Sequence, residues 1–301
     1  MKSRKNHIVV LFSILSIINI VIFFYRDKFS FHKYATYSTL YSADTIKWKK
    51  IINDYPKQEL VEAKAILDSL QINHRPTPVK VVEIGRFLYN HFHKQLGHSS
   101  DQLVSASPLN QYKILRSSDT TQLWCGNFSE MFAFFCWSEG IACRVIEIMN
   151  PGDHHVLNEC YLPEIGQWAV TDLTNNNLFI LNDNRNSYAN LLSLRDSSWL
   201  TVSTLQATDR AIVLHPLDTK YYDKYFDNKN PIYYYYRVNN FEIYKPIQKI
   251  KRYFLPDAWY EEVSNNRRSN WPFYIKQFFT LLWLIVVPLL IGQLVSPKSK
   301  S

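Results

Sequence analysis

The sequence predicts an α+β domain that lies between two membrane-spanning helices. Three observations lead to this prediction: an apolar run near each end, a helical pattern in the middle of the chain, and three strand patterns directly after it. The composition, 47% hydrophobic and 20% charged, is ordinary for a globular protein. A chain of 301 residues has room for one medium domain with attachments, or for two small domains.

Two uncharged apolar segments, residues 8–25 and 278–295, predict the membrane-spanning helices. Each has about the minimum length of a spanning helix. A cleaved signal peptide is the alternative for the first segment, but no small-x-small cleavage site follows it. Two buried core helices are the alternative for the pair.

Two spanning helices place both tails on one side of the membrane and the middle of the chain on the other. Lys and Arg are nearly balanced between the tails and the inner flanks, so charge does not decide the orientation. Because long loops translocate regardless of charge, we favour an extracytoplasmic middle. The prediction is a two-pass membrane protein with membrane lipid as a partner.

The net charge of +8 raises the question of a nucleic-acid partner. The densest basic stretch, residues 245–252, is not accompanied by any reader motif. We therefore assign the surplus to solvated surface and membrane-proximal charge, and we predict no nucleic-acid binding.

Helical patterns come first along the middle of the chain. Apolar residues recur at helical spacing in residues 45–70, with a break at Pro56, and again in residues 81–93. Residues 71–80 contain two prolines and predict a loop. Residues 97–122 are rich in Ser, Thr, Asp and Gln and predict irregular structure.

An amphipathic helix followed by three strands is predicted next. Gly140 suits a left-handed cap at the end of the helix. Residues 141–149, 155–162 and 167–173 predict strands, and the last two form a hairpin around residues 163–166. The apolar face of the helix is formed by Phe128, Met131, Phe132, Phe135 and Cys136.

Beyond residue 176 the patterns weaken. We divide the middle into a domain, residues 45–180, and an aromatic-rich extension, residues 181–270. The extension contains a stretch dense in tyrosine, residues 221–236. We favour an aromatic surface strand or packing platform for this stretch over a substrate groove or an interfacial belt, because aromatic side chains mostly pack.

Cys125 stands directly before the predicted helix. At a helix N-terminus the dipole and the free N–H groups favour a thiolate and can also hold an oxyanion. Cys136 belongs to the apolar face, and Cys143 and Cys160 lie in strands, so we interpret all three as structural. Without a Cys-x-x-Cys spacing the cysteines predict neither a disulfide scaffold nor a zinc site, and we expect no metal and no cofactor.

The hairpin supplies a base and a residue to orient it. A two-residue turn pairs His155 with Asp172, whereas a four-residue loop places Leu157 opposite Asp172 and His155 diagonal to it on the same face. A three-residue loop would instead bring His154 to that face. We select His155, which with Cys125 and Asp172 makes a candidate catalytic triad.

Four strings of the sequence resemble the transglutaminase-like superfamily. Residues 124–132 and 139–146 look like the family's nucleophile helix and the strand that follows it. Residues 155–161 look like its histidine strand, and residues 168–174 look like its aspartate strand. The resemblance covers about residues 80–176, and the strings agree in order and spacing.

The resemblance implies a papain-like α+β core in which the nucleophile helix packs on an antiparallel sheet. It implies that the Cys125 thiolate attacks a protein or peptide amide and forms a thioester, which ends in hydrolysis, deamidation or acyl transfer. His155 would carry the proton and Asp172 would orient it. Trp124 and Gln122 become candidate oxyanion or substrate contacts.

Two positions deserve comparison with the family pattern. Leu157 stands where the family usually has tryptophan, which concerns local packing rather than the triad. Arg144 matches a frequent arginine of the family, with a structural role. Transglutaminase-like folds also include members used for binding or scaffolding, so a membrane-tethered binding module is the alternative to an enzyme.

Two further patterns are weighed and set aside. His91, His93 and His98 suggest a metal site, but no nearby cysteine or acidic residue completes a ligand set. Asn127 and Ser129 match the N-glycosylation pattern. We discount it because it lies at the start of a helix with an apolar face.

Overall fold

The computed structural model combines α-helices with two antiparallel sheets, as the sequence predicts at this level. It divides into two compact units. One is built from both ends of the chain and contains the two longest helices, and the other contains both sheets. Residues 42–47, 49–54 and 236–259 lie outside the described part, so neither the first half of the predicted 45–70 helix nor the 245–252 stretch is described. The structure describes residues 2–41, 48, 55–182, 187–196, 203–235, 260–264 and 267–295.

The first unit contains helices α1 (Lys2–Phe24) and α10 (Trp271–Val295). Both are long and apolar enough to cross a membrane, judged by length and composition. The mean hydropathy is 2.6 over Asn6–Phe24 and 2.0 over Trp271–Gly292. Helix α10 begins before the predicted residue 278, because its aromatic flank is helical as well.

Helices α1 and α10 pack against each other in antiparallel orientation. The rings of Phe12 and Trp283 lie 6.0 Å apart, and the Trp283 indole N–H donates to the Ser16 hydroxyl at 2.9 Å. One turn along, the Thr280 hydroxyl donates to the Asn19 carboxamide oxygen at 3.0 Å. Contacts of this kind satisfy polar side chains between apolar helices.

The second unit contains eight α-helices in its described residues. Helix α6 (Pro108–Ser117) is capped by Ser107, whose hydroxyl accepts the Asn110 N–H at 3.4 Å, and has Pro108 at its first helical position. The prediction of irregular structure for residues 97–122 is therefore wrong over α5 (Asp101–Val104) and α6. Helix α4 (Thr77–Phe92) begins inside the loop predicted for residues 71–80. The helices are α2 (Tyr37–Leu40), α3 (Lys57–Asp68), α4 (Thr77–Phe92), α5 (Asp101–Val104), α6 (Pro108–Ser117), α7 (Cys125–Ser138), α8 (Leu191–Asp196) and α9 (Thr219–Tyr225).

Helix α7 forms the centre of this unit. Every residue from Asn127 to Ser138 is buried, so the helix is enclosed on all sides rather than amphipathic as predicted. The predicted cap at Gly140 is confirmed by its φ of 73°. The Gly140 N–H donates to Trp137 at 2.9 Å and the Ile141 N–H to Cys136 at 2.9 Å, which closes the helix end.

The larger sheet has the strand order β3-β2-β1-β7-β8 and the smaller one β4-β5-β6. Strand β7 pairs directly with β1, so the predicted extension and the predicted domain share one sheet. Within the tyrosine-dense stretch, Tyr234 on β7 is fully buried. The strands are β1 (Cys143–Asn150), β2 (Asp153–Leu162), β3 (Gln167–Thr171), β4 (Phe179–Leu181), β5 (Ser203–Ala207), β6 (Ile212–Pro216), β7 (Ile232–Tyr235) and β8 (Tyr260–Val263).

A buried ion pair joins β1 to β2. Arg144 stands opposite Glu159, and the two fully buried side chains meet at 2.6 Å. The Trp168 ring lies 3.7 Å from the guanidinium carbon. A charge pair that is closed off from water depends on such partners, and these contacts give Arg144 the structural surroundings that its predicted role requires.

Candidate active site

The register of the β2–β3 hairpin determines which side chains share a face. Leu162 pairs with Gln167 and Asn158 with Thr171, which leaves a four-residue loop. Gly166 closes this loop with a φ of 64°, a conformation that glycine adopts without strain. The observed register is the four-residue alternative of the two that place His155 and Asp172 on one face.

His155 and Asp172 meet where β3 ends. The imidazole Nε2 lies 2.7 Å from Asp172 Oδ2; His155 is 4% exposed and Asp172 is fully buried. Beyond Thr171 the chain leaves β2, and the Asp172 N–H donates to the Asn177 carbonyl at 2.7 Å. A short 3₁₀ turn, Leu173–Asn175, follows and holds the carboxylate at this edge.

The neighbouring His154 points elsewhere. Its side chain is 58% exposed, and its Nδ1 lies 2.7 Å from Glu147 Oε1. Alternation along β2 therefore separates the two adjacent histidines, and only His155 reaches Asp172.

Cys125 is the first residue of α7, and its side chain is partly exposed. The first turns of the helix are fastened to β2 beside His155, because the Ser129 hydroxyl donates to the Val156 carbonyl at 3.0 Å. A Cβ placed on Gly126 would lie 4.0 Å from the Val156 side chain, so helix and strand are in contact here. The first turn of a helix leaves backbone N–H groups without intrahelical acceptors, and Cys125 stands among them.

The pKa of His155 reflects both neighbours. Burial lowers this pKa, but the charge and hydrogen bond of Asp172, followed by a hydrogen bond and charge from Cys125, raise it to about 10. Burial raises the pKa of Asp172, yet the charge of His155 and the hydrogen bonds around the carboxylate hold it below its usual value. A pKa raised this far makes His155 an imidazolium at neutral pH, and since Nε2 faces Asp172, Nδ1 is the ring nitrogen that remains for the thiol.

Three side chains at the site were not predicted as functional. The Tyr221 hydroxyl and the Asn175 amide both donate to Asp172 Oδ2, the latter at 2.8 Å. The Tyr225 ring lies 4.6 Å from the His155 ring. The sequence signal was the four-residue spacing of the two tyrosines, which places them on one face of α9. Of the two preferred alternatives for this stretch, the surface strand is wrong for these residues, which are helical, whereas the Tyr225 ring does pack against Tyr221 and His155.

The candidate substrate contacts lie on the approach to Cys125. Trp124 is 46% exposed, its N–H donates to the Ser99 hydroxyl at 2.8 Å, and its ring lies 5.7 Å from the His98 ring. Gln122 is exposed, and its Oε1 accepts the His98 N–H at 3.1 Å. Trp124 therefore offers an open aromatic surface next to Cys125 in the chain, whereas the oxygen of Gln122 is engaged by the backbone of His98, 24 positions earlier.

The histidine pattern and the N-glycosylation pattern, both set aside above, have structural explanations. His91 and His93 each contact a carbonyl of helix α4 through Nδ1, at 2.7 and 2.9 Å, and in the described part of the chain they join no group able to hold a metal ion. Asn127 is 3% exposed, and its side-chain oxygen accepts the Trp124 N–H at 3.3 Å. A carboxamide enclosed in this way is not open to glycosylation.

Compared with known proteins, the chain matches no family model, no curated protein and no solved structure. A partly exposed thiol at a helix start, a buried imidazole and a buried carboxylate come from three successive parts of the chain.

Proposed function

We propose that this protein is a membrane-anchored, transglutaminase-like cysteine enzyme that acts on a protein or peptide amide through a thioester intermediate. The observation that carries the proposal is the buried pair of His155 and Asp172, 2.7 Å apart, beside the helix that begins with Cys125, whose hydrogen bond and charge help to raise the pKa of His155. A nucleophile, a base and an orienting group in this relation are the requirement for covalent acyl chemistry.

In the first step the Cys125 thiolate forms a bond to the amide carbonyl carbon, and the carbonyl oxygen takes the negative charge. Free N–H groups in the first turn of α7 stabilise this oxyanion. The carbon–nitrogen bond then breaks, His155 gives its Nδ1 proton to the leaving amine, and an acyl thioester remains on Cys125.

In the second step the neutral His155 removes a proton from water or from an acceptor amine. The activated oxygen or nitrogen attacks the thioester, and the thiolate leaves. Water yields hydrolysis or deamidation, and an amine yields acyl transfer. Asp172 stabilises the imidazolium that re-forms.

The arrangement of the elements supports a papain-like core. Helix α7 packs on β1 and β2 of an antiparallel sheet, and cysteine, histidine and aspartate follow one another in the order that the resemblance implies. Trp124, exposed next to Cys125, is the proposed contact for the acyl donor, and the Gln122 amide group is the proposed additional oxyanion donor.

The two long helices provide the proposed membrane anchor. Because α1 and α10 are antiparallel, both tails lie on one side of the bilayer and the catalytic region on the other, which we assign to the extracytoplasmic side. Tags at Met1 and at Ser301, tested for protease access in sealed cells, should be equally protected, and a tag protected at only one end would overturn this topology.

The test of the chemistry is active-site trapping on the full chain in detergent. A peptide library carrying glutamine and backbone amides should leave an acyl group on Cys125 after acid quenching, seen as a mass increase of one tryptic peptide. The adduct should vanish in C125A and in H155A and persist in C136A. An unmodified Cys125 across the library, together with alkylation no faster than in H155A, would overturn the proposal.

A tethered binding module is the second candidate, and one observation favours it. His155 is 4% exposed and lies under the Tyr225 ring, as in a site closed to substrate. If the protein is a binding module, C125A should bind peptide as well as the wild type does. If the protein is an enzyme, C125A should lose the acyl adduct. Saturable peptide binding that is equal in wild type and C125A, without turnover, would favour the binding module.

A further inference from the structure

The other three cysteines lie close together where α7 packs on β1 and β2. Cys136 comes from the last turns of the helix, Cys143 begins β1, and Cys160 lies on β2. Each is fully buried, and their sulfur atoms all lie within 4.8 Å of one another. We call this group the thiol cluster; its three sulfurs are close in space although their spacing along the chain shows no metal-binding motif.

The pairing of β1 and β2 explains why the sulfurs meet. Cys143 and Cys160 stand directly opposite each other. The Tyr161 N–H donates to the Ala142 carbonyl at 2.8 Å, which makes the cysteines a non-hydrogen-bonded pair, the type whose side chains approach most closely. Cys136 then reaches the pair from the helix that covers this face.

The cluster has the dimensions of a metal site. Cys160 Sγ lies 3.4 Å from Cys143 Sγ and 4.0 Å from Cys136 Sγ. The third separation, between Cys136 Sγ and Cys143 Sγ, is at most 4.8 Å. A point equidistant from the three sulfurs therefore lies about 2.4 Å or less from each of them, close to the ~2.3 Å of a metal–thiolate bond.

We propose that Cys136, Cys143 and Cys160 bind a single Cu(I) ion in trigonal sulfur coordination. Soft thiolate ligands select Cu(I), zinc and iron–sulfur clusters. Structural zinc requires four ligands, and in the described part of the chain no imidazole or carboxylate joins the three sulfurs.

The burial of the cluster determines how it is loaded. All three sulfurs are closed to solvent, so the ion enters while the chain folds rather than afterwards. Each thiol that becomes a thiolate releases a proton, and no electron is transferred if copper arrives as Cu(I). The site would then tie α7, which begins with Cys125, to β1 and to β2, which carries His155, whether or not the chain is an enzyme.

The test is the metal content of the full chain expressed with copper and purified anaerobically in detergent. We expect one copper per chain, with sulfur neighbours at about 2.3 Å in X-ray absorption. The copper content per chain of C143A and of C160A should be at least about tenfold lower than that of the wild type. C125A, the matched control, should keep the wild-type copper content. In the wild type, removal of copper by a strong Cu(I) chelator during refolding should lower Tm, a result that needs no variant to fold.

Several outcomes would overturn this inference. They are copper far below one per chain, copper that follows Cys125, stoichiometric zinc in its place, or a Cys143–Cys160 disulfide in the freshly purified chain. A wild-type Tm that is unchanged by copper would overturn it as well. None of these results bears on acyl trapping at Cys125, so the copper inference and the proposed function fail separately.

Discussion

Helix α7 carries a cysteine near each end, and the two have opposite environments. Cys125, at the first turn, is partly exposed, and its hydrogen bond and charge help to raise the pKa of His155. Cys136, eleven positions further on, is fully buried, and burial raises the pKa of its thiol. The position of a cysteine on α7 therefore decides whether its thiol can react or only packs. The N-terminal turn supplies free N–H groups and solvent access, whereas the rest of α7 supplies neither.

The largest expected effect is the loss of acyl transfer in C125A. Removal of the nucleophile should lower kcat by at least about 10³-fold, because the thioester cannot form. C136A should keep activity within about threefold, because Cys136 lies in the core away from the triad. Turnover of the trapped peptide measures both, and a C125A chain as active as C136A would erase the distinction between the two ends.

The second-largest effect is expected when the charge of the Asp172 carboxylate, which contacts His155, is removed. D172N should lower kcat by about 10²–10⁴-fold, since the imidazole loses its orienting group. The carboxylate is the strongest influence that raises the pKa of His155, so its removal lets burial lower this pKa again. In the wild type the protonated His155 is lost as the pH rises through about 10, and in D172N the alkaline limb of the activity profile should move to lower pH. An unmoved limb would show that His155 is not the titrating group.

A smaller effect is expected at Tyr221. Y221F removes one hydrogen bond to Asp172 without removing the ring, and we expect about a tenfold fall in kcat with KM little changed. The pKa of Asp172 should rise, because that hydrogen bond helps to hold it low. Y225F is the control, since the Tyr225 hydroxyl binds Asp153 rather than the triad. Equal losses in the two variants would point to general packing of α9.

The smallest effect is expected at Ser129, which fastens α7 to β2. S129A loses the bond to the Val156 carbonyl, and the free energy of unfolding should fall by about 1 kcal/mol. Urea unfolding of the detergent-solubilised chain measures this loss. S138A is the comparison, because the Ser138 hydroxyl binds within its own helix, to the Phe135 carbonyl. An S129A variant that is stable but inactive would place Ser129 in positioning rather than in stability.

Local signals predicted much of this molecule. The cap at Gly140, the strands of the hairpin and the His155–Asp172 face all follow from turn chemistry and alternation over a few residues. Helix α6 was missed although Ser107 and Pro108 form a start signal, because the polar composition around them was given more weight. The enclosure of α7 was missed because periodicity reports one apolar face, while the opposite face is buried by elements distant in sequence.

Long-range contacts account for the rest of the site. Tyr221 lies 49 positions after Asp172, and no spacing rule connects a tyrosine on one helix with a carboxylate on a distant turn. The thiol cluster was hidden for the same reason, since its members become neighbours only after β1 and β2 pair and α7 covers them. Local chemistry places Cys125 and His155, whereas topology decides what surrounds them.

The pairing of β7 with β1 has a consequence for synthesis of the chain on the ribosome. A nascent polypeptide that ends near residue 176 already contains the cysteine, histidine and aspartate, but it leaves one side of β1 unpaired. Such a fragment should aggregate when produced alone, and the triad can reach its final arrangement only after the residues up to Tyr235 have emerged.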